Sequence, residues 1–154
     1  MTGSVYGLNK FPDQYDKLLA NPDLIENFVP EVIRWQTQLA YMRRTATRDT
    51  ELRGKKIKKY DQLLMWYLSA NQDEAVFTNA NVLDIERHNA DRHLSFGYGI
   101  HFCMGSRIAE LQLRIVWEEI LKRFKRIEIQ DEPERVFSSF VHGYSNLPVT
   151  VKRR

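Results

Sequence analysis

Residues 96–105 read FGYGIHFCMG and contain the only cysteine of the 154-residue chain. Glycines at positions 97, 99 and 105 surround Cys103, and an amphipathic segment follows at once. Glycine permits sharp turns and close approach of the backbone to a ligand, and the amide end of a following helix favours a negative charge. We therefore expect a thiolate at Cys103, which would be either a nucleophile or a metal ligand.

Three interpretations of this cysteine stay open on these residues alone. His101 stands two residues earlier and could act as the base of a nucleophilic cysteine. Alternatively, the thiolate could bind a large flat cofactor, with the glycines allowing close approach and Phe96, Phe102 and Met104 excluding water from the sulfur. A buried and inert thiol is the third interpretation, and it is the usual one for an isolated cysteine.

The composition limits the class of protein. The 23 basic and 20 acidic side chains leave a net charge of +3, so nucleic acid binding is not expected. No apolar run approaches the ~20 residues of a membrane-spanning helix, so no membrane insertion is expected. One cysteine cannot form an internal disulfide. These features predict a single cytoplasmic domain.

The apolar pattern predicts a mainly α-helical fold with small β-sheets. The strongest periodicity lies between residues 106 and 125, where the apolar side chains form a broad face. The predicted elements are helices at 12–20, 23–35 and 106–125, helical turns within 69–77, strands at 39–51, 62–67, 126–129 and 147–151, a turn at 53–54 and an irregular loop at 78–94. Of these strands, 62–67 (QLLMWY) is predicted to be buried.

The cysteine loop resembles the heme-binding pattern F-G-x-G-x-H/R-x-C-x-G of the cytochrome P-450 monooxygenases. This resemblance implies heme b (iron-protoporphyrin IX) as the cofactor and Cys103 as its axial thiolate, hence as both the metal ligand and the catalytic residue. Every specified position of the pattern is matched, by Phe96, Gly97, Gly99, His101, Cys103 and Gly105.

Other charged residues agree with the same family. Glu31 and Arg34 fit its E-x-x-R motif, whose spacing places both side chains on one helical face. The resemblance implies a third arginine in this ion-pair network, for which Arg87 is the candidate. It also implies that Arg44 and His101 contact heme propionates, and a guanidinium can form two charge-assisted hydrogen bonds with one carboxylate.

Three longer segments, 34–46, 93–124 and 138–149, resemble the bacterial soluble alkane hydroxylases of this family. The resemblance implies terminal hydroxylation of medium-chain alkanes or fatty acids by O2, with electrons from ferredoxin and ferredoxin reductase. It also implies that the substrate pocket is lined by Leu39, Ala40, Met42, Phe140 and Val141. A docking face for the electron donor is expected at Arg92, Arg107 and Arg114.

Members of the family are more than twice as long as this chain. The resemblance therefore implies that residues 1–154 are the C-terminal portion of a single P-450 domain, from the end of the long distal helix onward. We expect the isolated chain to bind heme weakly and to hydroxylate nothing. We also expect apolar surface to be exposed at Trp117 and its neighbours. The sequence departs from the family pattern at Pro30, Gln38, Tyr60 and Ala80.

Rival interpretations give different functions to the same loop. One is a self-contained heme-binding or electron-transfer module without oxygenase activity. Another is a metal site formed by His88, His93, His101 and Cys103, although structural zinc sites usually contain paired cysteines. The last is a cysteine–histidine hydrolase, for which the sequence offers no group that would orient the histidine.

Overall fold

The computed structural model describes residues 1–154. The fold is mainly α-helical with small β-sheets, which confirms the predicted class. Its helices are α1 (Thr2–Lys10), α2 (Pro12–Ala20), α3 (Ile25–Gln36), α4 (Tyr67–Ala70) and α5 (Ser106–Arg123), and short 3-10 turns lie at Pro22–Leu24, Ala90–Arg92 and Gly99–His101. None of the helices is long and apolar enough to cross a membrane.

Eight strands form four antiparallel two-stranded ribbons, β1 with β4, β2 with β3, β5 with β8 and β6 with β7. The strands are β1 (Tyr41–Thr45), β2 (Thr50–Leu52), β3 (Lys55–Ile57), β4 (Gln62–Trp66), β5 (Phe124–Ile129), β6 (Glu134–Arg135), β7 (Tyr144–Asn146) and β8 (Val149–Arg153). The single strand predicted at 39–51 is wrong, because the chain leaves the first ribbon after Thr45 and enters the β2–β3 hairpin. That hairpin turns at Arg53 and Gly54, as predicted.

The prediction of a buried strand at 62–67 is also wrong for its side chains. Leu64, Met65 and Trp66 are 48%, 46% and 50% exposed. β4 pairs only with β1, and most side chains of β4 remain exposed, so this two-stranded ribbon is not a core strand pair. Only Tyr67, which follows β4, is buried.

Trp117 lies at the centre of the core and is fully buried. Its ring makes edge contacts with Tyr15 and Phe28, at centroid distances of 6.0 and 5.2 Å, and its Nε1 donates to Ser4 Oγ at 2.8 Å. The expectation that Trp117 is exposed was therefore wrong, because α1, α2 and α3 cover it. Its neighbours Ile108, Leu111, Ile115 and Val116 do remain exposed.

Two of the departures from the family pattern lie in well-defined local structure. Pro30 lies inside α3, which continues through it to Gln36. Tyr60 has a φ of 74°, in the left-handed region that favours glycine. A non-glycine residue in this region costs of order 1 kcal/mol, and Tyr60 is exposed, with the ammonium of Lys59 over its ring at 4.8 Å from the centroid.

Candidate functional site

The cysteine loop is a closed turn that presents its sulfur to solvent. Cys103 N donates to Phe96 O at 3.0 Å, and Ser106 N donates to Cys103 O at 3.3 Å where α5 begins. Gly97 and Gly99 have φ values of 75° and 74°, which a residue with a side chain rarely adopts. The Cys103 side chain is exposed, and a Cβ on Gly99 would meet no atom within 4 Å.

A cavity of about 880 Å³ lies between the cysteine loop and β1. Several predicted site residues line it together, namely Leu39, Met42, Arg44, Phe96, Gly97, His101 and Cys103. The remaining lining residues are Gln38, Arg43, Thr45, Tyr67 and Ser95. No aspartate or glutamate lines this cavity, so its charged groups are the guanidinium groups of Arg43 and Arg44, and the His101 imidazole lies in the same lining. Such a lining favours an anionic ligand.

The other predicted pocket residues lie outside this lining. Ala40 is buried and its backbone N donates to Phe140 O at 2.9 Å, while Leu39 forms a β-bridge with Val141. These contacts hold the segment that carries Leu39 and Met42 in place. Gly99 and Gly105 shape the cysteine loop without lining the cavity.

Arg44 lies on β1 opposite Leu63 and is half-buried. One of its terminal nitrogens donates to Arg43 O at 2.9 Å, and its other N–H groups make no hydrogen bond within the chain. Arg43 also lines the cavity, although its guanidinium faces Gln62 at 3.4 Å. The cavity edge at β1 is therefore strongly basic.

Glu31, Arg34 and Arg87 form one buried ion-pair network. Arg34 contacts both carboxylate oxygens of Glu31, at 2.7 and 2.8 Å, and Arg87 Nε lies 3.1 Å from each of them. All three residues are at most 6% exposed. Because two cations face one carboxylate, the remaining N–H groups need other acceptors. Backbone carbonyls provide them, at Asn71 after α4 and in the irregular loop at Thr78, Asn79, Ala80 and Val82.

Asn71 joins this network to the segment before the cysteine loop, and sequence reasoning missed it. Its Oδ1 accepts from Leu94 N at 2.7 Å, and its Nδ2 donates to Thr37 Oγ1 at 2.8 Å and Ser95 Oγ at 2.9 Å. The side chain is fully buried. An asparagine after a short helix commonly ends the helix, so no local signal distinguished this one.

His93 is buried on the other side of Phe96. Its Nδ1 lies 3.3 Å from Ser95 N, and its ring lies 5.4 Å from that of Phe96. Burial lowers the pKa of His93 to about 4. A second cavity of about 510 Å³ opens here, lined in part by Arg107 and Arg114 of the expected docking face, although Arg92 lies outside it.

The structure does not favour the rival sites. No group of three or more histidine, cysteine, aspartate or glutamate side chains is placed to hold a metal ion. His93 and Cys103 line different cavities. Because the larger cavity contains no carboxylate, it also offers no acidic group to orient His101 as the base of a hydrolase.

Comparison with known proteins connects this geometry to a family. The family model described as Cytochrome P-450 matches residues 7–151. Linalool 8-monooxygenase of Pseudomonas putida is 40% identical over 148 residues, which are 96% of this chain and 36% of that protein. Methyl-branched lipid omega-hydroxylase of Mycobacterium tuberculosis is 39% identical over 152 residues, which are 97% of this chain and 35% of that protein.

Solved structures agree with the sequence relatives. The structure of cytochrome P-450-153 from Novosphingobium aromaticivorans is 52% identical and superimposes with a TM-score of 0.93, covering 97% of this chain and 38% of that one. The chain thus spans about a third of the length of the curated relatives it matches. Because one family matches nearly all of the sequence and nearly all of the fold, the chain belongs to the cytochrome P-450 family.

Proposed function

We propose that this chain provides the cysteine side of a heme-thiolate monooxygenase, an oxidoreductase that inserts one oxygen atom of O2 into an aliphatic substrate. One observation carries the proposal: the exposed thiol of Cys103 shares a basic, carboxylate-free cavity with Arg44 and His101. Residues 1–154 would be the C-terminal portion of a single P-450 domain. The resemblance of the cysteine loop and the E-x-x-R helix to the family supports that assignment.

The residues present fit heme b, the cofactor that family membership implies in its heme-thiolate form. The glycine loop leaves open space beside Gly99, which suits a flat ring, and the cavity provides cationic groups for two propionates. Cys103 Sγ would bind the iron, while Arg44 and His101 would bind the propionates. When bound, the heme supplies the oxygen chemistry, and a thiolate ligand favours O–O cleavage.

The chain's own residues would orient the sulfur and keep water from it. Phe96 and Phe102 meet edge to face, with ring centroids 6.3 Å apart, and they lie on either side of the turn that carries Cys103. The bond from Cys103 N to Phe96 O fixes the direction of that turn. Phe102, which is 51% exposed, lines the second cavity together with Phe96 and lies outside the lining of the cavity proposed for heme.

For the substrate we propose medium-chain alkanes or fatty acids, hydroxylated at the terminal carbon. Two observations support this choice. Leu39 and Met42 give the cavity an apolar wall near β1, and one relative is named for omega-hydroxylation of a methyl-branched lipid. Ala40, Phe140 and Val141 would support that wall from behind.

For electron delivery we propose ferredoxin and ferredoxin reductase. Arg107 and Arg114 line the second cavity, on the side of Phe96 occupied by His93, and would contact an acidic donor, although Glu26, Asp91 and Glu110 line the same cavity. Arg114 already faces Glu118 at 3.9 Å, so only part of its charge is available. Arg92 is exposed near the same segment and would add a third arginine for the donor to contact.

The test is a heme titration of the chain, read by the absorption spectrum of the reduced, carbon-monoxide-bound form. We expect weak binding with a thiolate-type Soret band, which Cys103→Ser abolishes. Met104→Leu is the matched control, because its side chain is fully exposed and lies outside the cavity lining. Retention of the thiolate band by Cys103→Ser would exclude this proposal.

Incubation of the chain with an alkane, ferredoxin and ferredoxin reductase separates the proposed monooxygenase from the remaining alternative. We expect the isolated chain to give no alcohol product. A tight and stable heme complex that still yields no product would favour a self-contained heme-binding or electron-transfer module.

A further inference from the structure

Tyr67 is a buried residue of the large cavity to which no role has been given above. It follows β4 as the first residue of α4, is 6% exposed and lines the cavity beside Ser95 and Phe96. Its hydroxyl forms no hydrogen bond with another residue. Asn89 Oδ1 is the only fully enclosed side-chain oxygen or nitrogen without a partner. The Tyr67 hydroxyl is therefore not sealed in the core and is reachable from the cavity.

The position of this hydroxyl is fixed by the cysteine loop. A Cβ built on Gly97 would lie 3.2 Å from the Tyr67 oxygen, so the hydroxyl is seated against the glycine that begins the turn. Gly97 has a φ of 75°, and this conformation brings the loop backbone close to the tyrosine. The phenol thus borders the same space as Cys103.

The surroundings indicate what such a hydroxyl would bind. The Tyr67 side chain as a whole is buried, and the hydroxyl of such a tyrosine usually finds a hydrogen-bond partner. Here the charged groups that share the cavity are the guanidinium groups of Arg43 and Arg44, and no carboxylate of the chain lines it. A free O–H donor beside cationic groups is suited to an anionic oxygen. Hydrogen bonds to charged acceptors are also stronger than those to neutral ones.

We propose that the Tyr67 hydroxyl donates a hydrogen bond to a carboxylate of the ligand held in this cavity. The inference rests on the proposed function, under which that carboxylate is a propionate of heme b. Tyr67 would then bind the cofactor together with Arg44 and His101. It would discriminate ligands that carry free carboxylates from those that do not.

The experiment compares the wild-type chain with Tyr67→Phe, which removes only the hydroxyl oxygen. Each is titrated with heme b and with its dimethyl ester, in which the two carboxylates are blocked. We expect Tyr67→Phe to weaken heme b binding about tenfold, as for loss of one hydrogen bond to a charged acceptor. Binding of the dimethyl ester should not change. Thermal unfolding of the heme-free chain should also be the same in both proteins.

The control is Tyr60→Phe, because Tyr60 is exposed on the β2–β3 side of the chain and lies outside the cavity lining. Equal heme b affinity of wild type and Tyr67→Phe, with binding that still depends on Cys103, would overturn the inference alone. The same would follow from an equal loss of affinity for both porphyrins, since that result indicates packing rather than recognition of a carboxylate. Absence of saturable binding of either porphyrin by the wild-type chain would overturn the proposed function, and the inference with it.

Discussion

His93 illustrates how the fold sets the charge of a single residue near the cysteine loop. Burial is the main cause of its low pKa, and the nearby cation of Arg34 adds to it, whereas Asp91 acts in the opposite direction. The neutral imidazole lies against Phe96. Protonation would place a charge in a cavity lined by Arg107 and Arg114 and also by Glu26, Asp91 and Glu110, so the cost comes from burial of the ring and not from the cations alone.

This burial makes stability dependent on pH. The pKa of His93 is about 4 in the folded chain and 6.5 in the unfolded chain, so between these values only the unfolded state binds the proton. Stability is therefore lost as the pH falls from 6.5 toward 4, by about 2 to 3 kcal/mol at pH 4.5. Urea unfolding of wild type and His93→Gln at pH 7 and pH 4.5 measures this loss.

The comparison between variants isolates His93 from the carboxylates that titrate in the same range. We expect His93→Gln to lose less stability between the two pH values than wild type does. The control His88→Gln should behave like wild type, since His88 is exposed. If the free energy of unfolding depends on pH in the same way for wild type and His93→Gln, burial does not control the protonation of His93.

At the scale of elements, Asn71 couples α3 to the segment that enters the cysteine loop. Through its side chain it contacts Thr37 at the end of α3, together with Leu94 and Ser95. Ser95 Oγ in turn donates to Ile33 O at 2.7 Å. The backbone carbonyl of Asn71 accepts from Arg34, so the ion-pair network and the cysteine loop share one residue.

Asn71→Ala should therefore loosen the cysteine loop as well as lower stability. Removal of the amide leaves the Leu94 N–H without its buried acceptor, which costs about 1 to 3 kcal/mol. Amide hydrogen exchange at Leu94 should be faster than in the wild-type chain. The rate at which iodoacetamide alkylates Cys103 should also differ from that of the wild-type chain. Asn81→Ala is the control, because the Asn81 side chain is exposed and makes no hydrogen bond. If Asn71→Ala and Asn81→Ala have equal effects on exchange at Leu94 and on alkylation of Cys103, Asn71 does not couple α3 to the cysteine loop.

The sequence allowed the helices around the site to be predicted, but not all of their contacts. Apolar periodicity and proline positions placed α2, α3 and α5 nearly correctly, because both signals are local. The break between β1 and β2 depends on backbone bonds that link Ala46 to Tyr60 and Asp61, which a pattern within 39–51 cannot reveal. The cysteine loop was recognisable because its glycines meet a local geometric need. Asn71 and Tyr67 act through neighbours far away in sequence, so they carried no comparable signal.

At the scale of the whole molecule, α5 shows which part of an apolar pattern becomes core. The pattern predicted a broad apolar face, but the fold buries Trp117 and Leu121 and leaves Ile108 and Ile115 62% and 47% exposed. The cause is that α1, α2 and α3 pack on one side of α5 only. The exposed side therefore keeps several large apolar side chains in contact with solvent, and exposed apolar surface promotes association.

The contrast between the two sides of α5 can be measured by substitution. Trp117→Ala should destabilise the chain by about 3 to 5 kcal/mol, because it removes a fully buried indole that joins three other helices. Ile115→Ala, two residues away on the exposed side, should change stability by no more than about 0.5 kcal/mol. Urea unfolding followed by circular dichroism gives both values.

Should Trp117→Ala not fold, Trp117→Phe serves instead. It keeps an aromatic ring against Tyr15 and Phe28 but loses the bond to Ser4 Oγ and part of the buried volume. We expect an intermediate loss of about 1 to 3 kcal/mol, from the hydrogen bond and the cavity together. Comparable losses of stability for Trp117→Phe and Ile115→Ala would mean that α5 is not anchored to the chain through Trp117. The unequal result expected here would show that α1, α2, α3 and α5 form one core that positions the cysteine loop.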